Sequence, residues 1–98
     1  MYIVIAMASS PGVYVYKRKG RVAYVGRSDT DVYARESQSF GFGDYDLTAV
    51  IYERASAREA YLTECRLFHR HDPIDNEIHP RRPAGTNWRC PVSGCPLS

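Results

Sequence analysis

Glu64 falls in the middle of an apolar stripe. The run Ala57–His71 places Ala57, Ala60, Tyr61, Leu67 and Phe68 on one face at the i, i+3, i+4 spacing of a core-facing helix. A carboxylate among such residues costs several kcal/mol if buried without a partner. Glu64 is therefore either an ion-paired or snorkelling side chain at the stripe's edge, or an acid or metal ligand held on a rigid element. Tyr14 and Tyr24 are the second candidate. They stand ten residues apart in two β-prone runs, as Gly12-Val13-Tyr14 and Tyr24-Val25-Gly26. Across a hairpin, two such phenols are either a packed aromatic pair or hydrogen-bonding groups beside a reacting centre.

Two further constellations carry chemistry. Lys17, Arg18, Lys19, Arg21 and Arg27 form a basic stretch that no acidic residue interrupts. It reads equally as a charged loop that keeps a sheet edge soluble and as an arm that contacts phosphates without reading sequence. Cys90 and Cys95 are separated by four residues, the wide end of zinc-ligand spacing, with His79 or His71 as further ligands. The alternative is a pair of reduced thiols. Cys65, beside Glu64, is expected to point away from it and to be buried and inert.

These residues need elements to hold them. Tyr2–Met7 reads as a strand. Val13–Tyr16 and Arg21–Val25 read as a hairpin; a three-residue loop Arg18-Lys19-Gly20 would set Lys17 opposite Arg21 and Tyr14 opposite Tyr24. Tyr14, Tyr16, Val22 and Tyr24 then share one face, and Val13, Val15, Ala23 and Val25 the other. A short helix over Asp31–Glu36, capped by Asp29 or Thr30, precedes a loop over Ser37–Asp46 and a core strand over Leu47–Tyr52. Ser56-Ala57-Arg58-Glu59 is a capping box that starts a helix running to about His71, before Asp72-Pro73. Residues 77–98 read as an irregular tail pinned by Trp88.

At 98 residues the chain holds one domain with a modest core. The net charge of +2 neither requires nor excludes a nucleic-acid partner. No run reaches the length of a membrane span, and three cysteines without a paired framework suit a reducing, cytoplasmic setting.

In combination, Gly12-Val13-Tyr14, Tyr24-Val25-Gly26, Arg35, Glu64 within Glu59-Ala60-Tyr61-Leu62-Thr63-Glu64, and Asn76 after His71-Asp72-Pro73 resemble the motifs of the GIY-YIG nuclease family. The likeness is strongest to the N-terminal nuclease domains of bacterial excinuclease C subunits and covers about residues 11–76. It implies an α+β fold: a small, largely antiparallel three-stranded sheet flanked by helices, to which Tyr2–Met7, outside the likeness, would add a strand. The implied activity is divalent-metal-dependent hydrolysis of DNA phosphodiester bonds, in DNA repair or recombination.

By the same resemblance Glu64 holds Mg²⁺ or Mn²⁺, and Tyr14 deprotonates or orients the attacking water beside Tyr24. Arg27 and Arg35 stabilise developing charge, and Asn76 orients the site. Lys17, Arg18, Lys19 and Arg21 contact DNA. The implied partner is DNA, and two assemblies stay open, a homodimer and a larger repair complex. Arg35 comes one place later than in the excinuclease pattern, and Glu36–Phe40 lacks the histidine or tyrosine many members carry there. Two other classes stay open: a catalytically inactive nucleic-acid-binding module, and a protein-interaction domain clipped by zinc on Cys90, Cys95 and His79.

Overall fold

The computed structural model describes residues 9–39, 43–46 and 49–98. The expected strand over Tyr2–Met7, and the first two residues of the strand expected over Leu47–Tyr52, lie outside them. The described elements are β1 (Gly12–Arg18), β2 (Arg21–Ser28), α1 (Val32–Ser39), β3 (Val50–Glu53) and α2 (Ala57–His71). The strands form one antiparallel sheet in the order β2-β1-β3, so β1 is central and β2 is an edge. This is the expected α+β arrangement of a three-stranded antiparallel sheet with helices.

The hairpin is tighter than expected. Arg18 pairs with Arg21, and the two residues between, Lys19 and Gly20, both take positive φ, 52° and 79°. Paired positive φ values are the pattern of a two-residue type I′ turn, whose twist matches the strands it joins. Asp46 fastens this turn, its carboxylate accepting from the backbone N–H of Lys19 at 3.0 Å and of Gly20 at 3.1 Å. The register then slips between Tyr16 and Lys17, leaving Ala23 as the extra residue of a bulge. Tyr24 therefore faces Tyr16, and Tyr14 faces Gly26, instead of the expected Tyr14–Tyr24 pair. A net shift of two residues keeps Tyr14, Tyr16 and Tyr24 on one face. Val22 moves to the other, where it packs with Val13, Val15 and Val25.

Each face of the sheet buries a different layer. Val13, Val15 and Val25 pack toward Leu67 of α2, while Tyr14 and Tyr16 pack with Val32 of α1. A third cluster joins Tyr61 and Cys65 of α2 to Cys90 of the tail, with Trp88 and Val92 packed on it. Trp88 tilts over Tyr61 at 6.3 Å between ring centres and so pins the tail as expected. The helix limits follow local chemistry. The Ser56 side chain accepts from the Glu59 N–H at 3.1 Å, and Asp72 closes α2 in a left-handed conformation, its N–H bonded to the Phe68 carbonyl. Asp31, not Asp29 or Thr30, caps α1 by accepting from the Ala34 N–H at 3.2 Å. Ser28 Oγ has already taken the N–H groups of Thr30 and Asp31.

Candidate functional site

The Glu64 side chain is buried, with 8% of the residue's surface exposed, and it faces β2. Arg27 stands opposite Val13 on the strand face that meets α2. Its Nη1 donates to Glu64 Oε1 at 2.8 Å, its Nη2 donates to the Arg81 carbonyl at 2.8 Å, and the guanidinium lies 5.3 Å from the Tyr61 ring centre. Asp29 Oδ1 is 2.8 Å from Arg27 Nε. That oxygen is buried and takes no directed hydrogen bond from any described residue. One cation thus sits between two carboxylates. Burial pushes the Glu64 carboxyl up to about 7, against the pull of Arg27 and with a smaller push from Asp29. The ion-paired alternative for Glu64 is realised, and the pair is buried. Cys65 points away from it, wholly buried, with its thiol pushed up to about 12 chiefly by burial.

The tyrosines occupy the opposite face of the sheet. The Tyr14 ring lies over Gly26, where any side chain would overlap it, which gives the second motif's glycine its reason. The Tyr14 hydroxyl is 3.0 Å from Ser39 Oγ. Burial pushes it up to about 12, partly opposed by that hydrogen bond and by the charge of Arg35. Tyr24 stacks on Tyr16 and lies 6.1 Å from Tyr14 between ring centres, a diagonal neighbour. Arg35 is exposed on α1, and its side chain has no ion pair among the described residues. Tyr16, Tyr24, Ser39 and Tyr45 line a small pocket of about 210 Å³.

Among the described residues no hydrogen bond or ring contact joins Tyr14 to Glu64. The two expected catalytic groups belong to two clusters on the two faces of the sheet, meeting at neighbouring positions of β2, Gly26 and Arg27. Asn76 lies along this strand's outer edge. Its Oδ1 accepts from the Val25 N–H at 2.8 Å, and its Nδ2 donates to the Val25 carbonyl at 2.9 Å. A side-chain amide thereby stands in for a fourth strand, and the Asp75 N–H extends the pairing to the Ala23 carbonyl. Asn76 thus fixes the edge of the strand that carries Tyr24, Gly26 and Arg27.

The basic hairpin divides as well. Arg18 is tied down, donating to Asp75 Oδ2 at 2.9 Å and to the Asp44 carbonyl at 2.7 Å. Tyr45 donates to the same oxygen at 2.8 Å, and both donors hold that carboxyl below the usual carboxylate range, Arg18 first. The side chains of Lys17, Lys19 and Arg21 form no ion pair among the described residues. Lys17 and Arg21 line a groove of about 700 Å³ with Arg18, His71 and Ile74.

Sequence reasoning missed Ser39, Tyr45, Asp29 and Asp75. Tyr45 sits in a loop without periodicity, Ser39 and Asp75 gain their meaning only from partners distant in sequence, and Asp29 pairs with Arg27 two residues before it on the edge strand. It also paired the tail cysteines with His79 or His71. His71 lies in the basic groove, whereas His69 stands with His79, Cys90 and Cys95 near the end of α2.

No protein-family model matches the chain, and no curated protein matches it. Solved structures do. The GIY-YIG N-terminal endonuclease domain of UvrC from Thermotoga maritima, bound to magnesium, is 24% identical, with a TM-score of 0.55 over 68% of this chain and 83% of that one. Two point mutants of the same domain, each bound to its catalytic divalent cation, are 23% identical with TM-scores of 0.56; both matches cover 68% of this chain, and 82% and 83% of theirs. The chain therefore has the fold of a GIY-YIG endonuclease domain. No described helix is long and apolar enough to cross a membrane.

Proposed function

We propose that the chain is a divalent-metal-dependent endonuclease that hydrolyses DNA phosphodiester bonds, acting in repair or recombination as the resemblance implies. The observation that carries this reading is the buried Glu64 carboxylate on α2, beside a second carboxylate, Asp29, whose Oδ1 stands 2.8 Å from the same Arg27 guanidinium. Glu64 Oε2 takes no hydrogen bond from a described residue, so two hard oxygen donors lie around one guanidinium. Such donors suit Mg²⁺ or Mn²⁺, which commonly bind one or two protein carboxylates and complete their shells with water. The ion, held by Glu64 with Asp29 nearby, would neutralise charge on the phosphate and on the departing oxygen.

The chain's own groups would do the rest. Arg27 fixes the carboxylate and is itself fixed by the Arg81 carbonyl. Tyr14, a neutral phenol at physiological pH, orients a water through its hydroxyl, and Tyr24 flanks it. Arg35, exposed on α1, would clamp a phosphate oxygen. Lys17, Lys19 and Arg21 would hold the DNA backbone.

The inactive nucleic-acid-binding module is favoured by one specific observation: the Tyr14 hydroxyl is bonded to Ser39 and not to Glu64, whose carboxylate is taken by Arg27. Cleavage of supercoiled, branched and single-stranded DNA with Mg²⁺, Mn²⁺ or EDTA separates the two. Metal-dependent cutting lost in Glu64→Ala supports the nuclease; binding with no cutting under any condition supports the module.

A further inference from the structure

We propose that His69, His79, Cys90 and Cys95 bind one structural zinc ion that staples the tail to α2. One ligand atom from each of the four lies within 4.8 Å of every other, although they come from three separate stretches of chain. The Cys95 Sγ to His79 Nε2 distance is 3.6 Å. Zn–S bonds of ~2.3 Å and Zn–N bonds of ~2.05 Å at tetrahedral angles put S and N about 3.6 Å apart, so this edge already has its metal-bound length.

The surroundings prepare the ligands. His79 Nδ1 is 2.9 Å from the Pro80 carbonyl. A carbonyl accepts only, so Nδ1 carries the proton and Nε2 presents its lone pair toward Cys95. A second hydrogen bond of this kind is what orients metal-binding imidazoles. Each cysteine occurs in a Cys-Pro-x step, Cys90-Pro91-Val92 and Cys95-Pro96-Leu97. The Cys95 sulfur accepts the backbone N–H of Leu97, two residues on, at 3.4 Å. The Cys90 N–H to Leu97 carbonyl bond at 3.0 Å closes the loop that presents both thiols.

Two neutral imidazoles and two thiolates around Zn²⁺ give a site with no net charge, and binding releases the two thiol protons. Four protein ligands leave no open position, so the ion is structural rather than catalytic. Its reach extends further, because the tail between His79 and Cys90 carries the Arg81 carbonyl that receives Arg27. A small core gains most from such a staple.

The full chain, purified without chelator or polyhistidine tag, should hold one zinc per molecule by elemental analysis. Reduced, metal-free chain titrated with Co²⁺ should develop the intense visible bands of tetrahedral cobalt and a thiolate charge-transfer band. An ion on the Glu64 oxygens would give only weak octahedral bands, so failure of the nuclease reading leaves this result untouched. His79→Ala and Cys95→Ser should lower zinc affinity by roughly 100-fold or more, while Cys65→Ala keeps the cobalt spectrum. Absence of both zinc and the tetrahedral spectrum in the wild-type chain would overturn the proposal, whatever the variants do. A Cys90–Cys95 disulfide in metal-free protein that reduction does not convert into a cobalt site would assign the pair to redox chemistry instead.

Discussion

Arg27 Nη1 stands 2.8 Å from Glu64 Oε1, and this contact ties the edge strand β2 to the middle of α2. The same guanidinium reaches Asp29 and the Arg81 carbonyl, so a single side chain links the sheet, the helix and the tail. Removing it would leave two carboxylates without their counter-charge. Arg27→Met should destabilise the fold by about 3–5 kcal/mol in urea denaturation. Adding Glu64→Gln to it should recover part of that loss. Strict additivity of the two substitutions would show that the pair is not coupled.

The pH dependence of stability carries the sign of Glu64. Its carboxyl titrates near 7 when folded, against 4.5 as an ordinary carboxyl, so the folded state holds the proton more tightly. Its contribution is fully present below pH 4.5 and is lost as pH rises through 7. In EDTA, wild type should lose roughly 3 kcal/mol relative to Glu64→Gln between those limits. Parallel profiles of the two proteins would mean that the carboxyl is not shifted.

Asn76 should behave as a strand substitute. Asn76→Leu removes both hydrogen bonds to Val25 and should cost about 1–3 kcal/mol. Amide exchange at Val25 should accelerate with it. Full stability and unchanged Val25 exchange, with activity lost, would instead make Asn76 a group that meets the substrate.

If the hairpin holds DNA, its free cations should set the salt dependence. Replacing Lys17, Lys19 and Arg21 by alanine should lower the slope of log K against log salt by about 2–3. Arg18→Ala should mainly lower stability, since its donors are already spent on Asp75 and Asp44. An unchanged slope in the triple variant would remove the hairpin from the DNA-binding surface.

Much of the fold was legible because its signals are local. The Ser56 N-cap, one half of the expected capping box, and the left-handed stop at Asp72 fix α2 over the span its sequence pattern marks. The alternation of valine and tyrosine in β1 sorts the two faces of the sheet. Register was not legible: Lys19 accepts a positive φ that its residue type does not advertise, and the turn shortens to two residues. The bulge at Ala23 then absorbs the difference. At the site, Glu64 declares itself by interrupting an apolar stripe. Its partner could not be read, since Arg27 lies 37 residues away and only the packing of α2 on β2 joins them. His69 shows the same limit. It falls on an ordinary helical turn and acquires neighbours only when the tail folds back.

The central claim is that Glu64 serves metal-dependent DNA cleavage. Its most direct test is single-turnover cleavage of supercoiled DNA in Mg²⁺ by wild type, Glu64→Gln and Tyr14→Phe, with folding verified by circular dichroism. Wild type should cut in Mg²⁺ and not in EDTA. Tyr14→Phe should be slowed by ~10²-fold or more, and folded Glu64→Gln should not cut. A folded Glu64→Gln protein that cuts at the wild-type rate would contradict the account.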